Sequence, residues 1–561
     1  MLGASPASAK VTLALLPPGT SVEELAAAGL SPGLMSAGLG SVPAEQTYLD
    51  IGQGNRVFDS LYDAPLTPAP VPLNRPLRDR GLIERGRSAP AEIEPGLLAA
   101  TLAAGHRSFA VRAPAPGRLP ALVAGLRGGD LLIAIERPPP AKGGALAIGI
   151  AGRGFGGNLT SDSTRLDGYV LSTDVAPTIL RRLGLAIPAS MSGQPIRSEG
   201  SVDPAAVVDL GERLAVVSER RGPVIGLSLL AWLLVLGLTA ALSRGALARP
   251  GVRVVGLAIV YLPLVLLALA LPQPGQTVEM LATMLLAPAL AALTLALAGG
   301  YRALAVAAAL TVLAYAVDAV AGSPLTALSL LGPNPGLGVR FYGIGNELEA
   351  LLTVLVVAGT GAWLSGFAPR LAPRRCAVAF LAVGLLAAFV FAAGRFGADV
   401  GAAIVLPVGA AVAAALVTGQ RRRAPLLVVA LPLAVLALLA LIDLLSGANA
   451  HLTRSVLDAG GLGDLADVAQ RRLQLSAHSF SRPIFFVFLP LIAILAALAV
   501  ARRDRLRAWL DGRPALGAGL AGALVATVVG TLANDSGALV LEIGAAYLLV
   551  FAGFAWAEAG R

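Results

Sequence analysis

From about Pro223 onward the chain is a succession of apolar stretches of roughly 20 residues, each long enough to cross a hydrocarbon core as a helix. That pattern admits few folds, because only helices and closed barrels satisfy their own backbone in lipid. The stretches predict eleven transmembrane helices, near 223–242, 251–271, 277–298, 302–320, 347–366, 376–394, 399–418, 424–443, 483–501, 515–533 and 537–556. Composition agrees. Charged residues are 14% of the chain, where soluble domains carry about 25%. Residues before about 220 differ, being rich in Pro, Gly and charge with short apolar runs. The chain therefore reads as a soluble domain at 10–220 and an all-α membrane domain at 221–561.

Charge sets an orientation. The net charge of +9 is mostly Arg, and much of it lies in alternate short loops. These hold Arg244, Arg249 and Arg253; Arg302; Arg370, Arg374 and Arg375; Arg421, Arg422 and Arg423; and Arg502, Arg503, Arg505, Arg507 and Arg513. The positive-inside rule then puts the first helix outside to inside, residues 10–220 outside the cytoplasm and the C-terminus within it. Ala7-Ser8-Ala9 before Lys10 resembles a signal-peptidase site, so residues 1–9 read as a signal-peptide remnant. No basic stripe suited to nucleic acid is present. The single Cys376 excludes an intrachain disulfide and a cysteine metal cluster.

In the soluble domain, β-like runs at Val11–Leu16, Leu97–Ala104, Ser108–Val111, Leu131–Ile135 and Leu146–Ile150 alternate with helical ones. This predicts an α/β layer fold with a partly parallel sheet. Its end reads Ser172-Thr173-Asp174-Val175-Ala176-Pro177-Thr178, then Leu183-Gly184 and Pro188, then Met191-Ser192-Gly193. This resembles the closing segment of the alkaline phosphatase/sulfatase superfamily, over about 30 residues that are scaffold there. The resemblance implies an alkaline-phosphatase-like fold. It also implies a two-metal site, and the residues for that are missing. Leu16-Pro17-Pro18 stands where a metal-binding Asp would be, Glu136-Arg137-Pro138 offers no Asp-His pair, and His106 is the domain's one histidine. Thr47 lies near the nucleophile position. The domain therefore reads as degenerate, a pseudoenzyme, in which Asp50, Gln53, Arg56 and the run 161–165 could still bind a ligand.

In the membrane domain, polar motifs sit at helix ends that the orientation places on the outer side. Asn346-Glu347 opens one helix, Asp399 another, and Asn534-Asp535-Ser536 precedes the last. Helix N-termini favour anions, and Arg suits phosphate bidentately. Ionisable residues near hydrocarbon mark functional sites. The substrate-binding candidates are Arg340, Tyr342, Asn346, Arg395, Arg454, Asn534 and Asp535. The acid–base candidates are Glu347, Asp399 and His451. Glu347, Glu349, Asp399 and Asp535 could hold a divalent cation, Mg²⁺, Mn²⁺ or Ca²⁺, since oxygen-rich clusters suit these ions. Asp318 and Asp443 lie near the same helix ends. The outer segment 444–482 could form a surface-lying amphipathic helix at Asp464–Leu475.

Together, Arg340-Phe341-Tyr342-Gly343-Ile344-Gly345-Asn346, Phe396-Gly397-Ala398-Asp399, His451-Leu452-Thr453-Arg454 and Asn534-Asp535-Ser536-Gly537 resemble a family of multi-pass membrane proteins of high-GC Gram-positive-type bacteria. Its members carry a degenerate alkaline-phosphatase-like ectodomain. The resemblance implies an architecture, not an activity. Three expectations remain open. The first is an envelope enzyme transferring or processing a polyprenyl-phosphate-linked glycan at the outer face. The second is a transporter or flippase of a lipid-linked or anionic substrate. The third is a non-catalytic scaffold for envelope-assembly proteins.

Overall fold

The computed structural model describes residues 9–445 except 67, 90, 91, 421 and 423, residues 473–481 except 475 and 478, and residues 485–559. The molecule divides into two units. One comprises Met1–Glu219 with Asn334–Phe341, and the other Arg220–Pro333 with Tyr342–Arg561. Residues 334–341, within the expected membrane domain, group with the N-terminal unit.

The N-terminal unit is built on a six-stranded sheet in the order β4-β1-β5-β7-β2-β9. The strands are β1 (Val11–Leu16), β2 (Ser31–Ser36), β4 (Ala110–Arg112), β5 (Leu131–Glu136), β7 (Ala145–Gly152) and β9 (Tyr169–Leu171). Short pairs β3 (Val42–Pro43) with β6 (Ala141–Lys142), and β8 (Asn158–Thr160) with β10 (Arg197–Glu199), flank it. β1 runs parallel to β4 and β5, β7 is antiparallel to both β5 and β2, and β9 is parallel to β2. The carboxyl ends of β1, β5, β2 and β9 therefore share one edge.

Side chains alternate across the pleat. Val11, Leu13, Ile133, Ile135, Leu146 and Ile148 join a core on one face, with helices α2 (Ala44–Gln53), α4 (Leu97–Ala104) and α6 (Val175–Arg182). Ala14, Leu16, Leu132, Ala134 and Ala147 join another on the opposite face, with α1 (Val22–Ala27) and α5 (Leu119–Ala124). Sheet strands buried on both faces read as continuous apolar runs, which is why β1, β5 and β7 are legible in the sequence. One expectation needs correction, since Leu97–Ala104 is a helix. The strand Ser31–Ser36 is an addition to the expected runs. β9 pairs only with residues 34–36 of β2, so Pro32 lies beyond the reach of that neighbour, a position where a missing N–H is tolerated. A further helix, α3 (Arg80–Ser88), is capped by Asp79.

α7 (Pro204–Leu242) contains the unit boundary and the first apolar span. After it come α8 (Ala248–Leu269), α9 (Gln276–Leu297), α10 (Gly300–Val320), the short α11 (Pro324–Leu328), α12 (Asn346–Phe367), α13 (Pro373–Ala392), α14 (Val400–Val417) and α15 (Ala424–Leu445). The last are α16 (Phe485–Ala501), α17 (Arg503–Trp509), α18 (Pro514–Ala533) and α19 (Gly537–Glu558). Among the described residues ten helices are long and apolar enough to cross a membrane, so this is a multi-pass membrane protein by helix length and composition. The eleventh expected span, 483–501, corresponds to α16, whose 17 residues make it shorter than the others.

The centre of the membrane unit is α12, α14 and α18. Glycines allow these helices to touch backbone to backbone, as small residues do between membrane helices. A Cβ at Gly519 would meet the Val357 carbonyl at 2.9 Å, and one at Gly361 the Ala515 carbonyl at 2.7 Å. Prolines inside helices leave a carbonyl four residues earlier without its donor. Two of these carbonyls are met from neighbouring helices. Trp232 of α7 donates to the Met284 carbonyl, four before Pro288, at 3.0 Å. Tyr547 of α19 donates to the Ile259 carbonyl, four before Pro263, at 3.2 Å. In hydrocarbon such pairing replaces absent water.

Candidate functional site

The polar motifs of the membrane unit converge at one end of its central helices. α13 ends in a tight reversal in which the Gly397 and Ala398 amides bond back to the Val390 and Ala393 carbonyls. Asp399 then caps α14, its carboxylate accepting from the Ala402 amide at 3.1 Å. The stretch before α12 pairs with this turn, the Ile344 amide donating to the Gly397 carbonyl at 3.0 Å. Gly343 is required there. Its φ is +74°, and a side chain would overlap the Gly397 carbonyl. Its amide donates to Ser323 Oγ at 2.9 Å.

The third motif joins through Asn534, which closes α18. Its Nδ2 donates to Asn346 Oδ1 at 3.1 Å and to Glu349 Oε2 at 2.8 Å. Its Oδ1 accepts from the Ser536 amide at 2.9 Å. Asn346 Nδ2 in turn donates to Asp535 Oδ1 at 3.1 Å. Both hydrogens of the Asn534 amide are thereby used, so its orientation is fixed. The result is a hydrogen-bonded chain from Asp535, which is exposed, through Asn346 and Asn534 to Glu349, which is 1% exposed. Glu349 lies against Gly401 at the start of α14, where a Cβ would overlap its carboxylate.

The other sequence candidates fall as follows. Glu347 pairs with Arg221 at 3.2 Å, and Arg221 also donates to the Gly332 carbonyl at 2.6 Å. Glu347 and Glu349 are two residues apart on one helix, so they face different ways. Arg395 lies over the Phe396 ring, 5.2 Å from its centre. Tyr342 is half-buried just ahead of Gly343. Arg340 belongs to the N-terminal unit and Tyr342 to the membrane unit. Asp318 has a structural use, its carboxylate accepting from the Leu325 and Thr326 amides at 3.0 and 2.9 Å and so fastening α11. His451, Arg454 and most of the expected helix at 464–475 lie outside the described residues. Among the described residues no group of three or more His, Cys, Asp or Glu is placed to hold a metal ion. The expected cation set Glu347, Glu349, Asp399 and Asp535 is thus not gathered as such a group.

The N-terminal unit has its own buried polar network at the carboxyl edge of its sheet. Gln46, Asp50 and Gln53 share one face of α2, and both glutamines donate to Asp50 Oδ1, at 2.7 and 3.3 Å. Burial pushes the Asp50 carboxyl up to about 7, against the opposing pull of the Gln46 bond and of Arg56 and Arg85. Arg85 donates to the Ala64 carbonyl at 2.9 Å, to Gln46 Oε1 at 2.9 Å and to Asp59, and covers the Tyr62 ring at 3.7 Å. Arg56 donates to Ser36 Oγ at 3.2 Å and to the Gly338 carbonyl at 2.6 Å. Phe341 lies 5.5 Å from the Tyr169 ring. Segment 334–341 is thus held by Arg56 and Tyr169.

The residues proposed for ligand binding at 161–165 are largely spent on structure. Ser161 and Ser163 donate to Asp174 at 2.7 and 2.6 Å, and Asp162 pairs with Arg197 at 2.6 Å. Asp174 also accepts from the Leu171 and Gln194 amides, at 2.9 and 2.8 Å. Thr47, expected near a nucleophile position, is fully enclosed. His106 sits just past the end of α4.

Sequence reasoning missed Arg221, and it assigned no role to Gly343 or Gly401. Only the glycines left a signal, each close beside a polar motif in an otherwise apolar context. No family model matches this chain, and neither the curated proteins nor the solved structures contain a match to it.

Proposed function

We propose that this protein works at the outer face of a bacterial cytoplasmic membrane, on the polar head of a lipid-linked substrate. A polyprenyl-phosphate-linked glycan, transferred or processed there, fits best. One observation carries the reading. Asn346, Glu349, Asn534 and Asp535, from separate parts of the chain, form one hydrogen-bonded series from an exposed carboxylate to a buried one. Such groups are costly near hydrocarbon and are retained for use. Glu349 lies one turn into α12, roughly 5 Å along its axis, which favours a site near the membrane interface over one at mid-membrane. The α12 N-terminus has no side-chain cap, and with Arg395 it would suit a phosphate. Asp535 and Asn346 would meet the sugar. The Arg-bearing loops favour the outer orientation.

The N-terminal unit is read as a degenerate, non-catalytic relative of the alkaline phosphatase fold. The enclosed Thr47 and the Leu16-Pro17-Pro18 ending of β1 support this. A transporter or flippase of the same substrate is the second reading, favoured by the burial of Glu349 between helices.

The test is mass spectrometry of lipids that co-purify with the detergent-extracted protein, followed by transfer and flipping assays in liposomes. A polyprenyl-phosphate species lost from Asn346→Ala/Asp535→Ala supports the site. Transfer of the glycan in detergent supports the enzyme, and movement across liposomes without transfer supports the transporter. Bulk phospholipid alone, unchanged by the variants, refutes both.

A further inference from the structure

The N-terminal unit carries a cleft that none of the preceding roles uses. It has a volume of about 770 Å³ and lies at the carboxyl end of the parallel strands β1 and β4. Crevices at this edge of an α/β sheet are the usual ligand position, and the volume is within the roughly 300–1,000 Å³ of small-ligand sites. Leu15 and Val111 line it from the strands, Glu45 and Tyr48 from the first turns of α2, and the stretch 68–75 from the other side.

That stretch contains Pro68, Pro70 and Pro72. Prolines lack the N–H that a strand needs and favour a stiff extended backbone, so the stretch walls the cleft instead of joining the sheet. It is pinned by Leu73, which is 4% exposed, and by Asn74, whose Nδ2 donates to the Phe109 carbonyl at 3.3 Å. The wall is therefore pre-formed.

The chemistry of the lining narrows the occupant. Glu45 and Arg75 bring opposite charges, so the cleft does not favour a strongly charged ligand of either sign. The Tyr48 phenol is pushed above its ordinary value by burial, with Arg137 opposing and Glu45 adding, so at neutral pH it is a neutral hydrogen-bonding group. Its ring and the proline rings offer flat apolar surface beside a carboxylate, an amide and a guanidinium. A sugar ring has the matching character, with an apolar C–H face and a rim of hydroxyls.

We infer that this cleft binds a short neutral oligosaccharide, stacked on Tyr48 and held at its hydroxyls by Glu45 and Arg75. The inference rests on the glycan reading above and assigns a second sugar site, separate from the one at Asn346 and Asp535.

The test uses the full detergent-solubilised chain on an array of neutral oligosaccharides of hexoses, pentoses and N-acetylhexosamines. The best binder is then titrated against variants. Tyr48→Ala should weaken binding by about tenfold, the scale of one aromatic stacking contact, and Arg75→Ala should weaken it by a few-fold. Tyr48→Phe should retain most of it. Asn346→Ala/Asp535→Ala should lose lipid capture and keep oligosaccharide binding, so the two sites fail independently. The inference is overturned if no oligosaccharide binds, or if binding is the same in Tyr48→Ala and Arg75→Ala proteins that melt like wild type. Selective capture of anionic sugars alone also overturns it.

Discussion

Gly401→Ala should be destabilising only while Glu349 is present. Gly401 is the second residue of α14, and a methyl there would overlap Glu349 Oε2. Restoring ordinary contact needs the carboxylate to move by roughly 1 Å. That oxygen accepts from Asn534 Nδ2 at 2.8 Å, so the shift breaks the bond. Leaving these buried groups unpaired costs about 1–3 kcal/mol. Against this, Ala gains up to about 1 kcal/mol over Gly in a helix. The net expected loss is on the order of 1 kcal/mol. In a Glu349→Ala background the obstruction is gone, so Gly401→Ala should be neutral or stabilising. The assay is the apparent melting temperature in detergent of wild type, both single variants and the double variant, read as a double-mutant cycle. An equal cost of Gly401→Ala in both backgrounds would refute the geometry. So would no cost in wild type.

Further outcomes follow from other contacts. Trp232→Phe should lower stability by about 1 kcal/mol by unpairing the Met284 carbonyl. The loss should shrink in a Pro288→Ala background, where the helix supplies its own donor. Tyr547→Phe should likewise lower stability, and its loss should shrink in a Pro263→Ala background. The raised Asp50 carboxyl predicts a pH dependence. Between the ordinary value near 4 and about 7 the folded chain binds the extra proton. Stability is therefore fully present below the ordinary value, falls as pH rises through this window, and levels above about 7. The fall is at most on the order of 4 kcal/mol, and Asp50→Asn should flatten it in melting curves taken from pH 4 to 8. A matching slope in Asp50→Asn would assign the dependence to other groups.

The sequence showed the helix ends better than it showed their partners. Asn346, Asp399 and Asn534 stood out because polar residues are conspicuous beside apolar runs. That Glu349 rather than Glu347 turns inward follows from helix geometry, but only once the neighbouring helices are known. Arg221, which takes Glu347, lies far away in the chain and gave no local signal. In the N-terminal unit, β1, β5 and β7 were legible as Val/Ile/Leu runs. Ser31–Ser36 was not, because Pro32 and Gly33 are strand-breaking signals that tertiary placement overrides. Leu97–Ala104 misled because a short apolar run between glycines fits either element, and only its packing beside α2 decides. The Gln46, Asp50 and Gln53 face of α2 has helical spacing, so that network was within reach of the sequence.

The chain of groups from Asp535 to Glu349 is proposed to engage the head of a lipid-linked anion. The most direct test is quantitative mass spectrometry of lipids bound to wild type, Asn346→Ala/Asp535→Ala and Glu349→Gln proteins purified in the same detergent. A polyprenyl-phosphate-linked species is expected in wild type, depleted about tenfold or more in the double variant and reduced in Glu349→Gln. The same lipid profile in all three proteins would contradict it.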